Sequence, residues 1–181
     1  STLDPAIADR IEGIAAIAAV DRYRSYSITY GSMPATLAFS KVSVHGRRAA
    51  TRFLEGPPAA EIWGDLAAGD NVIVSEPFSE KHDVQVGDRI SLPLAGRDVE
   101  FRVAGVYYDY SGEQGYIIGD RSVFLKYLPD PRPTNLAIYL VDGADVARTR
   151  AASTSLPRPF ARRPLGFGCN EQQSAHLLAL A

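Results

Sequence analysis

The stretch from Gln85 to Tyr110, QVGDRISLPLAGRDVEFRVAGVYYDY, constrains the fold more than any other. In 89–94 the apolar residues are Ile90, Leu92 and Leu94, separated by Arg89, Ser91 and Pro93. In 97–103 they are Val99, Phe101 and Val103, separated by Asp98, Glu100 and Arg102. Period-two alternation gives each segment one buried face as a β-strand. Ala95-Gly96 is a two-residue connection with Gly where a positive φ is needed. That loop sets Leu92 opposite Val99 and Ile90 opposite Phe101, so pattern and turn agree in register. Gly105 interrupts the alternation before Tyr107-Tyr108-Asp109-Tyr110, which predicts a bend or a close approach to another backbone.

The rest of the chain reads as alternating helices and strands. Asp4-Pro5 is a helix start, and Leu3, Ile7, Ile11 and Ile14 recur at helical spacing with Gly13 as the stop, which predicts a helix over 5–12. Residues 15–30 read as a long strand with a bulge expected near Arg22–Arg24. Gly31-Ser32-Met33-Pro34 is turn chemistry. Residues 35–44 read as a second strand, whose face switches between Leu37/Phe39 and Val42/Val44. A helix is expected over 59–67, a buried strand at 72–74, and a helix over 76–82 with Ser75 as N-cap. After a polar loop at 111–115 come a strand at 116–118, a helix over 121–127 capped by Asp120, a strand at 135–141 and a helix from Ala144. The tail from Ser153 carries Pro157, Pro159 and Pro164 among arginines and reads as irregular, with a short terminal helix expected over 171–180.

Composition excludes several classes. Lys plus Arg number 19 and Asp plus Glu 21, so no basic surface is forced and nucleic-acid binding has no support. Cys169 is the only cysteine, which rules out an intrachain disulfide and a multi-cysteine zinc site. No apolar run approaches the ~20 residues of a membrane span. Met33 is the only methionine, so an excised fragment or a processed product is expected.

The residues carry little chemistry. His45, His82 and His176 are scattered and stand at no metal-ligand spacing. Cys169 has no nearby histidine to activate it. Asp88 follows Gly87 at the head of the hairpin, where an aspartate commonly bonds local backbone N–H groups. Asp109 and Glu113 form an acid pair on paper, yet no base or nucleophile accompanies them. Ser75-Glu76 lacks the glycines of a nucleophile elbow, and Gly112 and Gly115 lack the context of a phosphate loop. The tyrosines at 23, 26, 30, 107, 108, 110 and 116 suit strand-face packing better than a ligand platform. The expectation is no catalytic, cofactor-binding or metal residue. The alternative is a free-standing binding module or small hydrolase using Asp88, Asp109 or Glu113.

One resemblance spans about four-fifths of the chain. VIVSE, VQVGDRISL, FRVAGVYYDY, GYIIGDRSVF and IYLVDGAD follow one another in that order, after the opening IADRIEGIAAIAAVDRYR. This series resembles the extracytoplasmic domain of FtsX-like/MacB-like ABC transporter permeases. The resemblance implies an α+β fold, with a βαβ-like helix–sheet unit joined to a smaller β-rich unit built on the hairpin. It implies a periplasmic core domain over 1–152, the β-rich part at about 84–112 inserted within it, and the 153–181 tail leading towards a membrane span. It implies a non-catalytic, periplasmic or exterior insertion between membrane helices of a permease, with ATP hydrolysed on a separate ABC ATPase chain. Partners would be the transmembrane helices of the same permease and a periplasmic protein, lipoprotein, lipid, peptide or drug. Some members of such families regulate a cell-wall hydrolase instead.

Overall fold

The computed structural model of the 181-residue chain describes residues 2–48, 51–109, 113–154 and 177–180. The chain forms two compact units, Ser1–Arg24 with Pro131–Ala181, and Ser25–Asp130.

In the first unit, helix α1 (Pro5–Glu12) begins where Asp4 accepts a 2.9 Å hydrogen bond from the Ala6 N–H and ends where the Gly13 N–H bonds the Asp9 carbonyl. Strand β1 (Ile17–Tyr30) follows, and residues 17–23 pair antiparallel with a later strand, β8 (Asn135–Leu140). Against β8 the register shift lies between Ile17 and Ala19, whereas the pairs Asp21↔Ala137, Arg22↔Leu136 and Tyr23↔Asn135 run regularly. Ala8 and Ile11 of α1 seal a core with Ile17, Val20, Leu136, Ile138 and Leu140. Beyond β8, helix α6 (Val146–Thr154) starts at Asp145, whose carboxylate accepts from the Arg148 N–H.

The terminal helix expected over 171–180 is corrected at 177–180, and its part over 171–176 lies outside the described residues. Leu177–Leu180 is strand β9, paired antiparallel with β8 from Leu136↔Leu180 to Tyr139↔Leu177. The open edge of β8 offers unpaired backbone groups, and a strand satisfies them where a helix would not. The proline-rich stretch before it lies outside the described residues.

The second unit is built on one mixed sheet. Its strands are β2 (Met33–Ser40), β3 (Phe53–Glu55), β4 (Asn71–Ser75), β5 (Arg89–Leu94), β6 (Arg97–Tyr107) and β7 (Tyr116–Asp120). Their order is β3-β6-β4-β7-β2, followed by β1, with β5 paired to β6. The hairpin register is the expected one, Leu92↔Val99 and Ile90↔Phe101. Ala95 and Gly96 both adopt positive φ, 51° and 75°, as a primed hairpin turn requires.

Strand β6 has two roles. Its first half completes the hairpin, and its second half lies parallel to β4, with helix α4 (Glu76–His82) and β5 in the crossover between them. Burial follows: alternation up to Arg102, then unbroken burial from Val103 to Tyr107. The register against β4 slips between Val72↔Val103 and Ile73↔Gly105. A Cβ on Gly105 would stand 2.9 Å from Ile62 Cδ1 and 3.4 Å from the Glu55 carbonyl oxygen, so the interruption in the sequence marks both a bulge and a close approach.

One face of the sheet buries Leu37, Phe39, Val72, Val74, Ile90, Leu92, Phe101, Val103 and Ile117 with Phe78 of α4 and Phe124 of α5 (Arg121–Phe124). Helix α3 (Ala59–Ala68) buries Ile62 and Leu66. At about 1.5–3 kcal/mol per large apolar side chain before entropy, this core supplies the main stabilising term.

Val42 and Val44 do not belong to a strand. They open helix α2 (Val42–Arg48), and the switch of face after Phe39 marks the end of β2. Strands β2 and β7 run parallel with Ser40 opposite Asp120, so both reach helix starts at the same level. The buried Asp120 carboxylate serves both. One oxygen accepts from the Ser122 N–H and hydroxyl at the start of α5, and the other accepts from the Val42 N–H at 3.2 Å. Helix α5 is shorter than expected, with turns carrying on to Leu128.

Candidate functional site

Of the three acids of the alternative reading, Asp88 lies before β5, whereas Asp109 and Glu113 lie on the connection between β6 and β7. Asp88 is exposed in the turn before β5, where its carboxylate accepts from the Gln85 N–H at 2.8 Å and its carbonyl accepts from the Val103 N–H. Asp109 lies six residues beyond Val103 along the same chain direction, a span of about 20 Å at strand rise. Glu113 is exposed in the loop before β7, where its backbone carbonyl accepts from Lys81 Nζ. Ser75 occupies the N-cap position of α4 but makes no capping bond with its side chain; its hydroxyl accepts instead from the Tyr116 N–H at 2.9 Å, at the start of β7. Among the described residues no three His, Cys, Asp or Glu side chains stand where they could hold a metal ion. Cys169, His176, Tyr110 and Gly112 lie outside the described residues, as does the side chain of His45.

The tyrosines pack. Tyr26 meets Phe39 at 5.5 Å between ring centroids, Tyr30 meets Phe78 at 5.1 Å, and Tyr107 is buried. Arg52 lies over the Tyr108 ring at 5.7 Å.

Two polar arrangements stand out, and the first escaped sequence reasoning. In the first unit Arg22 of β1 reaches back to α1, with Nη2 2.6 Å from Asp9 and 2.8 Å from Glu12. Burial alone would lower the Arg22 pKa, but the hydrogen bonds it donates to Glu12 and Asp9 carry it above its ordinary value. Asp9 and Glu12 are three apart on one helix face, the signal that marks them as a pair, although their partner is visible only once α1 folds onto β1. The backbone fastens the same place, since the Leu3 N–H donates to the Pro133 carbonyl at 2.7 Å. This arrangement holds the segment entering the domain against the segments that form β1 and β8.

The second arrangement joins three pieces of the Ser25–Asp130 unit: Tyr30 at the end of β1, Phe78 with Lys81 and His82 on α4, and Glu113–Gly115 before β7. The His82 ring meets Tyr30 edge-on at 4.9 Å and Phe78 at 4.5 Å. Burial, and then the neighbouring Lys81 charge, push its pKa below the ordinary histidine value, so the imidazole is neutral at pH 7.

Known proteins share this architecture. The periplasmic region of MacB from Actinobacillus actinomycetemcomitans superposes with a TM-score of 0.63 at 17% identity, over 85% of this chain and 72% of that one. The extracellular domain of the noncanonic ABC-type transporter YknZ from Gram-positive bacteria gives 0.61 at 14%, over 82% and 78%. In sequence, an uncharacterised ABC transporter permease protein of Mycobacterium tuberculosis is 31% identical over 85 residues, which is 46% of this chain and 10% of that protein. The chain thus spans about a tenth of that relative's length. The family profile described as MacB-like periplasmic core domain matches residues 1–156. By that match, and with a fold to suit it, the chain belongs to the MacB-like periplasmic core domain family of ABC transporter permeases.

Proposed function

We propose that this chain is a non-catalytic extracytoplasmic domain that carries motion of a permease's membrane helices to a substrate or partner protein outside the membrane. In this reading 1–152 is the working body, β9 of the tail adds a strand to it, and the tail leads on towards a membrane span. A separate ABC ATPase hydrolyses ATP on the other side. The observation that carries the reading is in the first unit. The entering segment, with α1, and the returning strand β8 lie side by side on β1, as an insertion between two consecutive membrane helices requires. A pull on the entering segment would reach β1 through Arg22 and the α1 core together. Among the described residues no helix is long and apolar enough to cross a membrane. The substrate class stays with the family's range of proteins, lipids, peptides and drugs.

Two experiments test this. Titration of the domain with Mg-ATP in a calorimeter is expected to give no binding heat up to about 1 mM, the range of weak nucleotide sites. A saturable heat at sub-millimolar ATP would overturn the non-catalytic reading. In the full permease complex, Arg22→Ala is expected to lower transport while ATP hydrolysis by the ATPase subunit persists. The stability cost should be about 1–3 kcal/mol, because the Arg22 side chain is mostly covered while Asp9 is largely solvated. Transport and hydrolysis that stay coupled as in the wild type would show that the α1 clamp transmits nothing.

A further inference from the structure

The contacts of His82 point beyond the transporter reading and do not depend on it. His82 is the last residue of α4, and its ring is wedged between Tyr30 and Phe78. Its Nε2 is shielded from solvent and has no hydrogen-bond partner among the described residues. In the neutral ring this costs little more than one unmet bond. In the cation Nε2 becomes an obligatory donor with no acceptor, on a group that has lost part of its hydration.

The surrounding charges do not repair this. Lys81 adds a second cation next in sequence. From β1 the facing group is the Tyr30 phenol, which burial holds further towards its neutral form. Glu80, Asp83 and Glu113 are exposed, where water and salt screen them. The end of a helix attracts a cation. Here, though, the Ser79 carbonyl already accepts from the Asp83 and Val84 N–H groups. The aromatic faces give a cation some compensation but no acceptor for its N–H.

What His82 holds shut is specific. Lys81 beside it donates to the Glu113 carbonyl, and Gly115 lies against the Phe78 backbone. The Gly115 carbonyl in turn accepts from the Thr36 N–H. We propose that His82 is a proton-operated latch: a proton on the imidazole unseats the last turn of α4 from Tyr30 and releases Glu113–Gly115 with it. The sign is fixed by linkage. The imidazole binds its proton less readily in the closed form than in the open one, whose ordinary value is 6.5. The latch is therefore fully closed above that value and weakens as the pH falls below it. An acidic exterior would open this end of the unit, and a neutral one would shut it.

Amide hydrogen exchange on the whole 181-residue chain tests the latch, with rates corrected for the intrinsic effect of pH. Between about pH 7.5 and pH 5, protection at Val84, Tyr116 and Thr36 is expected to fall about tenfold in the wild type. In His82→Phe, which keeps a ring on Tyr30 and Phe78 but cannot titrate, it should stay constant. An equal loss in both proteins would overturn the proposal. Should His82→Phe not fold, the wild type alone decides by NMR. An imidazole titrating below 6.5, with the three amides opening along the same curve, supports the latch. An imidazole at or above 6.5, or amides that open on a different curve or not at all, removes it.

Discussion

Gly119→Ala is expected to destabilise the Ser25–Asp130 unit by about 3 kcal/mol, the upper end for overpacking a filled core, and to lower the melting temperature by about 6–12 °C. The cause is Phe124. A Cβ on Gly119 would fall 2.0 Å from its Cε2 and 2.9 Å from its Cζ. The ring cannot retreat, because it stacks on Phe39 at 3.8 Å and on Phe101 at 4.9 Å, and it is fully buried. Gly119 itself is held by both neighbours, paired with Phe39 on β2 and Val72 on β4. Nor is the backbone left-handed here, so the penalty is one of space. The check is a double-mutant cycle with Phe124→Leu. Each single change should destabilise, and the two together should cost less than their sum, because the smaller side chain vacates the volume that the new methyl needs. Strict additivity in thermal or urea unfolding would show that Gly119 and Phe124 do not compete for the same space.

The second large effect is at Gly115, where two costs coincide. Its φ is +85°, a region that costs an L-residue about 1–2 kcal/mol. A Cβ there would also stand 2.9–3.1 Å from the Cβ, Cα and N of Phe78, two of them backbone atoms of α4 that no rotamer change can move. Gly115→Ala should therefore cost about 3–4 kcal/mol, with the steric part being relieved only by a shift of α4. Gly96→Ala is the matched control. Its φ of +75° is comparable, but nothing lies within 4 Å, so only the backbone part of about 1 kcal/mol is expected. Equal losses at the two positions, measured by urea unfolding, would mean that the approach of Gly115 to α4 carries no weight.

These glycines show where local pattern stops being informative. Gly96 was legible, because a two-residue turn between alternating strands needs a positive φ whatever surrounds it. Gly105 was half legible: the break in alternation marked a bend, and Ile62 and Glu55 supplied the reason. Gly119 and Gly115 carry no local signature. Gly119 is a glycine because of a phenylalanine placed against it by the fold, and at Gly115 such a phenylalanine adds to the demand of a positive φ.

The candidate site divides in the same way. That Asp88 closes a turn was readable from Gly87-Asp88 and the hairpin after it. The separation of Asp88 from Asp109 was not, since it depends on how far β6 carries the chain. Arg22 was read as the place for a bulge, and the fold makes it the cation that fastens α1.

By itself the sequence determined the hairpin and its register, the buried strands expected at 72–74 and 135–141, the caps at Asp4 and Asp120 and, through its ordered motifs, the family. These are short-range properties, fixed by side-chain alternation, turn geometry and capping within a few residues. Tertiary structure alone decided that β2 stops at Ser40, because a carboxylate 78 residues further along the chain receives the first N–H of the helix after it. It alone made Leu177–Leu180 a strand, because β8 had an open edge, and put an imidazole nitrogen with no partner among the described residues between Tyr30 and Phe78. In each case the deciding group lies far along the chain, and only folding brings it within a hydrogen bond or a van der Waals contact.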